Sequence, residues 1–121
     1  MATEAILQTL SGTAAADYRT KQFYAVTFTS DGNITLAATG KECDGFLQDK
    51  PNINQAGSVA IFGVTKAAIS DTISIGQLLE VDSGGTLKGS SAGTVVAKAL
   101  EAGATGNIIS VLIQKSNAVY A

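Results

Sequence analysis

A chain of 121 residues, 45% hydrophobic and only 15% charged, is long enough to fold as one domain without a disulfide or metal staple. Its formal charge is -2 and no Lys or Arg neighbours another. The electrostatic footprint of a nucleic-acid binder and the basic helix of a membrane-surface protein are therefore both missing. No apolar run approaches the roughly 18 residues of a membrane span. There is no histidine, which removes the usual general base, triad partner and commonest metal ligand.

The first segment, MATEAILQTLSGTAAADYRT, is rich in Ala and Thr and lacks clean alternation. It carries an acidic residue where a signal peptide would carry basic ones, so the chain is expected to be made in a cytoplasm. We read residues 1–20 as an extended arm, ordered by contact with something else, and residues 21–121 as the domain. The alternative for the arm is a short helix capped by Thr3, but isolated helices of that length are marginal in water.

From Lys21 onward the punctuation is that of an all-β protein. Gln22 to Phe28 mixes aromatic, β-branched and small residues, which suit a pleated surface. Asp31-Gly32 is a hairpin-turn dipeptide, and Ile34 to Ala38 returns as the partner strand. Gly45 to Gln48 is a short strand stopped near Pro51, the only proline. Ser58 to Val64 follows, with Val59 and Ile61 on one face and Ala60 and Phe62 on the other.

Thr72 to Asp82 carries Gly76 inside a strand pattern, a sign of a bulge or bend. Ser83-Gly84-Gly85 turns the chain and Thr86 to Lys88 returns. Gly93 to Leu100 is the next strand, where Lys98 between Val96 and Leu100 points to an exposed edge. Ile108 to Ile113 is the last and most apolar. Turn signals about every 8–12 residues predict a small β-sandwich or β-barrel with an extended N-terminal arm.

The densest run of small residues, SGGTLKGSSAGT, raises the question of a phosphate-cradling loop. A P-loop needs Gly-Lys-Ser/Thr between a strand and a helix. Here Lys88 precedes Gly89 and no helix follows, so the glycines read as turns. The pairs Glu42/Asp44 and Glu80/Asp82 stand at i and i+2, but neither has the alternating oxygen ligands of a calcium loop. They read as solvated or turn-forming acids, Asp82 capping nearby N–H groups.

Cys43 has no histidine to activate it and reads as a small, half-buried strand residue. The reading is therefore no enzyme, no cofactor and no metal. Phe28, Phe46 and Phe62 read as core. Tyr18 and Tyr120, near the two ends, are candidates for contacts with neighbours.

The order of these pieces resembles the small capsid decoration (cement) proteins of tailed bacteriophages. The matching residues are Gly45 to Pro51, Val59 to Lys66, Ile73 to Leu79, the turn from Asp82 to Leu87, and Ala97 to Ile113. The glycine expected ahead of ALEA is missing, and the first 44 residues match less distinctly. The resemblance implies a structural virion protein on the outer surface of the assembled head. There it would bind the major capsid protein, self-associate as a trimer and cement neighbouring capsid subunits.

In that reading Ile6, Leu7 and Leu10 anchor the arm, with Tyr18, Arg19, Lys21 and Tyr120 as further contacts. Deleting residues 1–17 is then expected to weaken capsid binding while leaving the domain folded. The rival readings are a head-fibre base or tail protein, and a small β-barrel carbohydrate-binding module. The absence of tryptophan argues against the last.

Overall fold

A computed structural model describes residues 4–29 and 31–114. Among the described residues there are nine strands: β1 (Ala5–Ala14), β2 (Ala25–Phe28), β3 (Asn33–Leu36), β4 (Gly45–Leu47), β5 (Ala56–Ala68), β6 (Leu78–Val81), β7 (Leu87–Gly89), β8 (Ala97–Ala99) and β9 (Ile108–Ile113). The only helical turn among the described residues is a 3-10 turn at Ser83–Gly85. The all-β expectation is met.

Strand order is β1-β3-β2-β4-β5-β9-β8-β6-β7, with a further pairing of β1 to β5. That extra pairing closes a ring. β1 lies antiparallel along β5 from Ala5↔Val64 to Thr13↔Ala56, and its end pairs parallel with β3 at Thr13↔Asn33 and Ala14↔Ile34. Strands β1, β3, β2, β4 and β5 thus form a small closed barrel. Its interior holds Ala14, Tyr18, Val26, Ile34, Leu47 and Val59.

A second core lies between the outward-facing residues of β2, β4 and β5 (Ala25, Phe46, Ala60) and the sheet β9-β8-β6-β7. β5 serves both cores because it is long. Val64 pairs with Ala5 on one edge and Leu112 on the other, while Ala60 pairs with Thr9 and Phe46. Its alternation changes phase on the way. Val59 and Ile61 face the barrel and Ala60 the second core, but so do Ala67 and Ile69. A slip of one residue flips every later side chain. It occurs around Gly63 (φ 105), where the pairing with β1 is also irregular. Phe62, expected in the core, stands at this break and is 58% exposed.

Four further expectations are corrected. Residues 5–14, assigned to an arm, are a barrel strand, because their unpaired N–H and C=O groups find partners along β5. Removing residues 1–17 would open the ring, so the truncated domain is not expected to stay folded. β8 is no edge; it pairs with both β6 and β9. Residues 22–24 are loop rather than strand, since Phe23 takes a left-handed φ of 70. Phe28 is only half-buried, leaving Phe46 as the fully buried phenylalanine.

Candidate functional site

The glycine-rich stretch is where an anion-binding loop would lie, and it does cradle an anion. That anion is the protein's own Glu80. Its Oε1 accepts from the backbone N–H groups of Ser91 (2.5 Å), Ala92 (3.3 Å) and Gly93 (3.2 Å). Glu80 is 3% exposed. Burial pushes its carboxyl up, but the N–H groups of Ser91, Gly93 and Ala92, with the charge of Lys88, hold it below its ordinary value. The sequence reading of a solvated or turn-forming acid fails for this residue. A side chain of Gly93 would collide with the carboxylate, so the cradle requires glycine there.

Asp82 behaves as the turn-forming acid it was read to be. It accepts from Ser83 N–H (2.8 Å) and from the Ser70 hydroxyl (2.7 Å). The Ser70 bond, then the Ser83 N–H, hold its carboxyl down against partial burial. Glu42 and Asp44 lie in a loop, where Asp44 accepts from Phe28 N–H (2.8 Å). Cys43 is buried in the second core.

The candidate contact residues scatter. Tyr18 is 6% exposed and packs inside the barrel, so it is a core residue. Ile6 is half-buried against the second core, while Leu10 is 46% exposed. Tyr120 and the side chain of Leu7 lie outside the described residues. Among the described residues β1 has no strand partner from Ala5 to Gly12 on the edge away from β5. An uncharged, unpaired edge is a template for another chain.

Arg19 and Lys21 do come together with groups the sequence reading passed over. A cleft of about 450 Å³ is lined by Arg19, Thr20, Gln22, Tyr24, Lys50 and Ile108, among others. Its walls are tied by backbone and amide bonds. Tyr18 N–H donates to Pro51 C=O (2.9 Å), and Gln22 Nε2 to Gln48 C=O (2.8 Å). Phe23 N–H donates to Leu47 C=O (2.7 Å), and Ala68 N–H donates to Phe23 C=O (3.0 Å).

The strained Phe23 is thus fixed between β4 and β5. Strain of this kind costs of order 1–3 kcal/mol and persists only where the surroundings impose it. Lys21 Nζ lies 4.9 Å from the Tyr24 ring centre, and Lys66 Nζ 5.6 Å from that of Phe23.

Asp17 grips Arg19 through two bonds, Arg19 Nε to Oδ1 (2.9 Å) and Nη2 to Oδ2 (2.8 Å). The Arg19 side chain and backbone N–H hold the Asp17 carboxyl at about 2. Both groups are largely exposed, so this pair positions the guanidinium rather than stabilising the fold. Half of the eight Lys and Arg residues (Arg19, Lys21, Lys50, Lys66) lie at or beside the cleft, and no carboxylate lines it. Sequence reasoning missed Lys50 and Tyr24 because nothing in the local pattern links position 50 to position 24.

No protein-family model and no curated protein matches the chain. Among solved structures it is similar to the head fibre gp8.5 N base of bacteriophage phi29. The match has a TM-score of 0.75 at 16% identity and covers 90% of this chain and 95% of that one. At that identity the likeness is one of fold.

Proposed function

We propose that this chain is a structural protein of a bacteriophage virion, attached to the outer surface of the head and not an enzyme. The observation that carries the reading is the fold shared, over nearly the whole of both chains, with a head-fibre base. The non-catalytic part rests on the lack of histidine and on an N–H cradle already filled by Glu80.

Two roles on the head are open to such a domain. As a cement protein it binds neighbouring major capsid subunits, self-associates and stabilises the shell multivalently. The order of motifs between Gly45 and Ile113 supports this role. As a head-fibre base it anchors a projecting structure, and the likeness to gp8.5 favours this second role.

Copy number separates the roles. Size-exclusion chromatography with light scattering, on the free protein and on its mixture with empty expanded capsids, gives both oligomeric state and stoichiometry. Cementing requires co-elution at close to the capsid protein's own copy number. A fibre base requires far fewer copies, and no association overturns the virion reading.

A further inference from the structure

We propose that the cleft between Arg19, Tyr24 and Lys50 is a docking site for a carboxylate-bearing peptide segment of a partner protein. The inference rests on the reading that the chain attaches to a protein shell.

Arg19 and Lys50 line the cleft together with the apolar Ala68 and Ile108. Lys50 makes no ion pair among the described residues, and Arg19 is held in position by Asp17. Lys21 and Lys66 sit over the rings of Tyr24 and Phe23, on the same short loop. Two of the three nearby acids already engage cations of the cleft, which leaves Lys50 as the lining cation without an acid paired to it among the described residues. Asp17 faces Arg19, Glu4 lies 3.8 Å from Lys66, and both Asp49 oxygens accept from Ser58 N–H.

This arrangement suits an extended segment in which Asp or Glu alternates with apolar residues. Lys50, and the Arg19 N–H groups that Asp17 leaves open, would take the carboxylates as charge-assisted partners, and Ala68 and Ile108 would take the side chains between them. A compact phosphate fits less well. Such a group is usually held by converging backbone N–H groups, and the N–H cradle described above is occupied by Glu80.

The test is a titration of the full-length, isotope-labelled protein with a capped peptide of alternating Glu and Leu, followed by amide shifts. Inorganic phosphate and a Lys-Leu peptide serve as separate probes. Shifts are expected at Thr20, Gln22, Gly106 and Ile108 with the Glu-Leu peptide alone, weakening with salt. Lys50→Glu is expected to lower affinity about tenfold or more. Lys41→Glu, the same charge change in an exposed loop beside β6, is expected to change affinity less than about twofold.

Equal losses in the two variants, shifts confined elsewhere, or the same shifts from phosphate alone would overturn the proposal. Capsid binding separates it from the reading beneath it. Wild type and Lys50→Glu bound equally well to capsids removes the cleft and leaves the virion role standing. Wild type that does not bind capsids removes the virion role, and the peptide titration still decides the cleft.

Discussion

The two halves of the molecule close their turns with the same devices but differ in what they leave open. In the second half, β6 to β9, the turns are closed from within. Glu80 takes three backbone N–H groups, and Asp82 takes a hydroxyl and another N–H. Two further turns repeat one device: Gln77 Oε1 accepts from Ser74 N–H (2.9 Å) and Asn107 Oδ1 from Ala104 N–H (2.8 Å). Each of these turns carries a left-handed glycine, Gly76 (φ 83) or Gly106 (φ 88). The first half uses the device too, Gln55 Oε1 accepting from Asn52 N–H (2.8 Å), but it leaves other groups open. β1 offers an open edge, Leu10 and Phe62 face outward, and cations gather at a cleft. On the proposed function, the first half is the one a partner would meet.

The largest effect should come from removing β1. Deletion of residues 1–14 is expected to abolish the cooperative thermal transition followed by circular dichroism, because the barrel loses its closing strand and β5 loses a long ladder. A truncated chain that melts like wild type would return these residues to the status of an arm.

Next is Glu80→Ala, which leaves three N–H groups without their acceptor. The cost is expected to be about 3–5 kcal/mol, measured by denaturant unfolding. The pH dependence follows from the same group. Glu80 and Asp82 are both lowered in the folded state, so their stabilisation is present above their unfolded values of about 4. It is lost as pH falls from there through the folded values. Glu80→Gln should flatten stability against pH below about 4 relative to wild type.

Smaller still are Gly76→Ala and Gly106→Ala. An added Cβ at either position meets nothing within 4 Å, so only the left-handed backbone opposes it. Each should cost about 1 kcal/mol. A much larger loss would show that the turns are less open than their surroundings imply.

Last come Leu10→Lys and Phe62→Lys on the open half, expected to change stability by about 0.5 kcal/mol or less. If either also weakens association with capsids, the exposed apolar residues of the barrel join the binding face.

Much of this was legible in the residues. Asp31-Gly32 does turn between β2 and β3, with Gly32 at φ 76, and Ser83-Gly84-Gly85 turns between β6 and β7. Asp82 caps its turn as its type and place demanded. Each of these is a local event in which a backbone angle or a short side chain acts within a few positions. Phe62 was misread for the opposite reason. Alternation says which residues share a face, but not where a bulge changes the phase or which face is covered.

Candidate sites divide the same way. Arg19 and Lys21 were candidates from their place near the start of the domain, whereas Lys50 and Ile108 join Arg19 only through the pairing of distant strands. The sequence by itself determined an all-β chain, the positions of its tight turns and the lack of a histidine-based active site, because composition and short-range sterics decide those. Only the tertiary structure decided that β1 closes the barrel, that Glu80 fills the glycine-rich cradle and that a cationic cleft exists. Each of these joins residues far apart in the chain, and the closure of such contacts depends on the whole fold rather than on any window of residues.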